Sequence, residues 1–153
     1  MKGDITDGIL YSHFSDVRDI HWRWKNFTAQ ELSSNGGGEY YHHEATLDAA
    51  QACRDALGLP MVINSGHRSW LHNIAVGGAP RSAHLYIAAD IPTGSHDRYE
   101  LYTTLKRAGF TSFGFYETFI HTDMRPERMW YGSEGAKRIW DAIINRPAPD
   151  VLL

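Results

Sequence analysis

Apolar residues recur at helical steps in three stretches of the chain. From Glu44 to Leu57, Leu47, Ala50, Cys53 and Leu57 lie three or four positions apart, while Asp48 and Arg54 fall off that stripe. This predicts an amphipathic helix stopped by Gly58 and Pro60. Residues 96–108 repeat the pattern with Gly109 just past their end, and a last helix is predicted from about Glu134 to Asn145, with Ser133 as its cap and Pro147 ending it. "FTAQEL" (27–32) predicts a further helix start, with Thr28 as N-cap, Glu31 as its reciprocal partner, and Phe27 and Leu32 as a staple.

Between the helices the pattern changes to short apolar runs. "MVINS" (61–65) predicts a buried strand, and a second strand is expected at Ala88–Ile91, stopped by Pro92. "SFGFY" (112–116) and "FIHTDM" (119–124) predict a hairpin turning at Glu117–Thr118. "WLHNIAVGGAP" (70–80) predicts a loop, and residues 1–26, aromatic and irregular, a wrapping segment. Strands mixed with helices in this order predict an α+β domain, a small antiparallel sheet with flanking helices. Residues 27–130 would form its core, and 131–153 a C-terminal helix and tail.

Composition narrows what such a domain could do. A chain of 153 residues is long enough for one domain with a real core. A net charge of −3 with scattered Lys and Arg argues against nucleic acid or an anionic membrane as partner. No apolar run approaches the ~20 residues of a membrane span, and the N-terminus lacks the basic start and apolar core of a secretory signal. The single cysteine, Cys53, excludes an internal disulfide and sits on the apolar side of its predicted helix. It reads as a buried small hydrophobe, although "QACRD" distantly suggests a cysteine-protease signature.

Nine histidines are a rich supply of chemistry. His13, His21, His42, His43, His67, His72 and His96 read as surface or structural residues; His42 and His43 are adjacent and point apart. His84, Asp90 and His121 read differently. Two imidazoles and a carboxylate make the three-ligand set of a catalytic zinc site, whose fourth position takes water. Asp123 follows His121 by two residues on a predicted strand and so shares its face. From there it would accept the proton of the attacking water as general base.

"INSGHRS" (63–69), "HNIAVGGA" (72–79), "SAHLYIAADI" (82–91) and "FIHTDMR" (119–125) occur in that order. Together they resemble the zinc D-Ala-D-Ala carboxypeptidase-like peptidases that act on peptidoglycan, in the branch of murein endopeptidases and phage-type lytic peptidases. The resemblance runs from about Trp24 to Trp130. It implies the hedgehog/DD-peptidase type of fold, Zn2+ as cofactor, and His84, Asp90 and His121 as its ligands. It also matches Arg68 to the family's arginine in an SG-aromatic-RS motif, with His67 where the aromatic residue usually stands. Arg68 would hold a substrate carboxylate or the developing oxyanion, and Ser82 would lie near the substrate.

One spacing departs from the pattern. The family places six residues between the histidine and the aspartate, usually with a glycine among them; here there are five, and no glycine lies between Tyr86 and Ile87. A straight strand would hold His84 and Asp90 roughly 20 Å apart, so Leu85–Ala88 must bend. The sequence leaves open an intact site, a weakened one, or one reduced to two good ligands; a formed site is the expectation.

The resulting expectation is a monomeric zinc metallopeptidase of peptidoglycan stem peptides or cross-links, made in the cytoplasm and acting on the wall after release or within a phage-like particle. Its rivals are a D-Ala-D-Ala carboxypeptidase, and an impaired wall-binding or phage structural module.

Overall fold

A computed structural model describes residues 3–18 and 21–147. Two strands, β1 (Ile9–Tyr11) and β2 (Tyr40–His42), pair antiparallel and lead into helix α1 (Glu44–Leu57). Helix α2 (Trp70–Ala75) and a 3-10 turn at Ala83–Leu85 precede β3 (Ala89–Pro92) and α3 (Arg98–Ala108). Strands β4 (Ser112–Phe115), β5 (Phe119–Asp123) and β6 (Arg128–Tyr131) follow, and α4 (Glu134–Ile144) closes the described chain.

The main sheet has the order β3-β5-β4-β6. Its first three strands are antiparallel, and β6 runs parallel to β4 because β5 serves as the return between them. The alternation of strand side chains divides the sheet into two faces. Ile91, Phe113, Phe115 and Ile120 join Leu101, Tyr102 and Leu105 of α3 and Trp140 of α4 in the main core. Tyr102 packs edge-on against Phe113 and Phe115 with ring centroids 5.1 and 5.5 Å apart. Burial of each such side chain stabilises the fold by about 1.5–3 kcal/mol. The opposite face is polar and carries Asp90, His121 and Asp123.

The three periodic helices form where their apolar stripes place them; Ser133 caps α4 as expected, accepting from the Ala136 N–H, whereas α3 begins at Arg98 and not at residue 96, because Asp97 caps it and accepts from the Glu100 N–H. The cap of α1 is His43, whose Nδ1 accepts from the Thr46 N–H. The hairpin of β4 and β5 forms as predicted.

Three expectations differ. "FTAQEL" makes its reciprocal capping bonds, Thr28 N–H to Glu31 Oε1 at 2.6 Å and Glu31 N–H to Thr28 Oγ1 at 3.1 Å, but completes only a turn before Gly36–Gly38 redirect the chain. "MVINS" is extended and buried at Met61 and Ile63, yet pairs only through a bridge between Ser65 and Asp90. Residues 70–75 form a helix rather than a loop, because Ser69 caps it and accepts from the His72 N–H. The apolar residues of α2, Trp70, Leu71 and Ile74, face outward, which breaks the inward stripe that marks an ordinary surface helix. Strands β1 and β6 carry no alternation that would announce them.

Candidate metal centre

Register builds the centre. Asp90 on β3 faces His121 on β5, His121 faces Gly114 on β4, and Gly114 faces Trp130 on β6, so one row crosses the whole sheet. At Gly114 a side chain would collide with the Trp130 indole. Its absence lets Trp130 lie beside His121, ring centroids 5.2 Å apart.

His84 reaches this row from the 3-10 turn. His84 Nε2 lies 3.1 Å from Asp90 Oδ2, and His121 Nδ1 lies 3.0 Å from Asp90 Oδ1. One ligand atom from each residue falls within 4.8 Å of the other two. Ligands about 2.1 Å from a tetrahedral zinc ion stand about 3.4 Å from each other, so the spacing suits such an ion.

Hydrogen bonding supplies an independent test of fit. His84 Nδ1–H donates to the Gly66 carbonyl at 2.7 Å, which leaves Nε2 as a lone pair. That nitrogen is buried, close to a carboxylate oxygen, and makes no hydrogen bond. A buried imidazole nitrogen without a hydrogen bond, 3.1 Å from a carboxylate oxygen, is a place that a cation would satisfy. His121 is fixed from behind in the same way, Nε2–H donating to Asp123 Oδ2 at 2.6 Å, which turns Nδ1 toward the centre. The residues present therefore fit a metal ion.

The electrostatics agree. Burial raises the Asp90 pKa, but the His121 and His84 imidazoles beside it outweigh that and hold the carboxyl below its ordinary range. Burial likewise opposes charge on His121, while Asp123 and Asp90 together raise its pKa. Asp123 is brought down to about 2 despite burial, by His121 and by Arg125.

Asp123 shares the face of His121, as its strand position requires, but its carboxylate does not line the cleft. It is fully buried. Oδ2 accepts from His121 and from Arg125 Nη2–H at 2.8 Å; Oδ1 accepts from the Arg125 backbone N–H at 2.8 Å and from Nε–H at 2.9 Å. Both oxygens are engaged away from the space where a substrate would lie. Arg125 carried no signal in the sequence reading beyond its place in "FIHTDMR".

A cleft of about 590 Å3 opens over the three ligands, within the usual range for ligand sites. The segment Gly77–Ala83 forms part of one wall, including Ser82, and Tyr116, Phe119, Arg128 and Trp130 form another. Arg68 lines it too, 3.8 Å from Asp90 Oδ2 and held by hydrogen bonds to Asn73 Oδ1 at 2.9 Å and Ser65 Oγ at 3.3 Å. Arg81, Arg125 and Arg128 bring the cleft's arginines to four in a chain of net charge −3.

The remaining candidates lie elsewhere. His42 pairs with the Tyr40 hydroxyl, whereas His43 pairs with Thr46 and the Asp4 carbonyl, so the two diverge. Cys53 is buried in the core. No described helix is long and apolar enough to cross a membrane.

The model of the family described as Peptidase M15 matches residues 20–123, a span that includes His84, Asp90, His121 and Asp123. No curated protein matches the chain.

Proposed function

The chain belongs to the peptidase M15 family, and from that membership we propose that it is a zinc-dependent peptidase of bacterial peptidoglycan, cutting within stem peptides or their cross-links. The observation that carries this reading is the convergence of His84, Asp90 and His121 beneath an arginine-lined cleft. Zinc bound there supplies a Lewis acid for the scissile carbonyl and makes the attacking water acidic enough to ionise near neutrality.

The chain's own residues have separable tasks. His84, Asp90 and His121 hold the ion, and the Gly66 carbonyl and the Asp123 carboxylate fix the two imidazoles in their tautomers. Asp123 thus acts through His121, in place of the proton-accepting role expected from its spacing. Arg68 offers paired N–H donors beside the ligands, to a substrate carboxylate or to the carbonyl oxygen as negative charge builds on it. Arg81 and Arg128 make the cleft attractive to acidic peptides, and stem peptides carry carboxylates. Ser82 contributes to the wall along which the peptide lies.

A second reading, trimming of a terminal D-Ala, draws on the closeness of Arg68 to the ligands, which suits a terminal carboxylate next to the scissile bond. Incubation with purified peptidoglycan and with a synthetic stem pentapeptide tests both. The proposal expects new amino groups from the cross-linked wall, abolished by a chelator and restored by zinc. Free D-alanine from the pentapeptide alone would support trimming, and no release from either substrate by the zinc-loaded protein would refute the peptidase reading.

A further inference from the structure

The segment between His84 and Asp90 has to turn sharply to bring its two ends together, and it does so without glycine. None of the described non-glycine residues has positive φ. The turn is made by the 3-10 turn Ala83–Leu85 followed by Tyr86, at φ −102° and ψ −103°. What holds this course is the extended segment 64–68, which runs beside the ligand segment and is bonded to it along its length. The Asn64 N–H donates to the Asp90 carbonyl at 2.9 Å, and the Asp90 N–H to the Ser65 carbonyl at 3.3 Å. At the other end the Arg68 N–H donates to the His84 carbonyl at 2.6 Å, and the His84 ring to the Gly66 carbonyl at 2.7 Å.

Those four bonds pin the two ligands, and at the middle of the turn a side chain from segment 64–68 holds the Tyr86 carbonyl. His67 Nδ1–H donates to the Tyr86 carbonyl at 2.6 Å, and His67 Nε2 lies 2.8 Å from Glu39 Oε1. A backbone carbonyl and a carboxylate thus flank the ring, and both of its nitrogens are engaged. The ring is buried, stacks on Tyr41 with centroids 6.3 Å apart, and its backbone N–H is anchored to the Leu32 carbonyl at 2.9 Å. Its orientation is therefore fixed by groups outside the ligand segment, as positioning requires.

We infer that His67, braced by Glu39, is a positioning residue that holds the Tyr86 turn and thereby sets the distance between the ligands His84 and Asp90. The inference rests on the reading of His84, Asp90 and His121 as zinc ligands. It separates His67 from Arg68, its neighbour, which faces the cleft and whose loss would affect substrate and leave the metal in place.

Replacement His67→Phe keeps the aromatic ring and removes both ring nitrogens, while His67→Asn keeps an N–H near the position of Nδ1 and gives up the contact with Glu39. Zinc dissociation constants by chelator competition and the visible absorption of the cobalt(II)-loaded protein report the ligand geometry directly. His67→Phe is expected to weaken zinc binding by about tenfold or more, the usual effect of losing a group behind a metal ligand, and to alter the cobalt bands. His67→Asn should recover most of the affinity and the native bands. Glu39→Gln, at a partly exposed position, guards against misfolding of the phenylalanine variant and should weaken binding in the same direction by a smaller factor. Native affinity and native cobalt bands in folded His67→Phe would overturn the inference, as would an unchanged affinity in Glu39→Gln if His67→Phe does not fold. If the unaltered protein binds no zinc, it is the metal-site reading that fails.

Discussion

Asp90 and His121 are direct register partners on β3 and β5, and their side chains meet 3.0 Å apart on the polar face of the sheet. Two of the three proposed ligands are thus placed by strand pairing alone, on a framework whose other face is the hydrophobic core. Only His84 depends on a less regular segment. The stiffness of the site is therefore uneven.

Asp123 and His121 are expected to fail together. Asp123→Ala removes the acceptor that holds the His121 ring, so zinc affinity should fall about 10–100-fold along with hydrolysis. That corresponds to roughly 1.4–2.8 kcal/mol. Metal analysis after dialysis against a weak chelator checks this. Full zinc content in an inactive Asp123→Ala protein would restore Asp123 as the base.

Arg68 should show the opposite split. With Arg68→Met, zinc content should stay at the native level, while kcat/KM falls by about 10²–10³-fold, the range found for loss of one charge-stabilising donor. Asn73→Ala, which only releases the guanidinium from its hydrogen bond at 2.9 Å, should have a smaller effect in the same direction. Steady-state kinetics of the two zinc-loaded variants make the comparison.

Insertion of glycine between Tyr86 and Ile87 should weaken zinc binding rather than tighten it. The ligands already converge, and an added residue brings about 3.3 Å of chain that must break either the His67–Tyr86 bond or those between residues 64–65 and Asp90. A zinc titration showing tighter binding by the insertion variant would mean that the shorter segment is a defect.

Most of the frame was legible because the periods were clean. The helices at 44–57, 98–108 and 134–144 each bury one stripe, and β4 and β5 alternate around a short turn. Helix α2 was hidden because its apolar residues face solvent, and β6 because its pairing to β4 skips over β5. At the site, His84, Asp90, His121 and Arg68 were legible as residue types in an ordered pattern. The surroundings of Asp123 were not: spacing gives the face of a strand but cannot say that Arg125, two residues on, turns back to occupy both carboxylate oxygens. Likewise His67 looks like an ordinary structural histidine until the path of the Tyr86 carbonyl is known.

Cys53 provides a check on the core independent of the site. Burial pushes its thiol pKa up to about 12. The folded protein should accordingly resist alkylation at pH 8.5, and one thiol should become reactive on denaturation. Because the shift is upward, the thiol favours the native state below its ordinary pKa of 9.0, and that contribution declines between 9.0 and about 12. Rapid modification of the native protein would contradict the packing of α1.

The most direct test of the account is the zinc content of the purified protein beside that of His84→Ala, each measured by elemental analysis after dialysis against a weak chelator. The account predicts about one zinc ion per chain in the unaltered protein and little or none in folded His84→Ala. A fully folded protein that neither retains zinc nor takes it up when offered, or a variant that keeps the full complement, would contradict it.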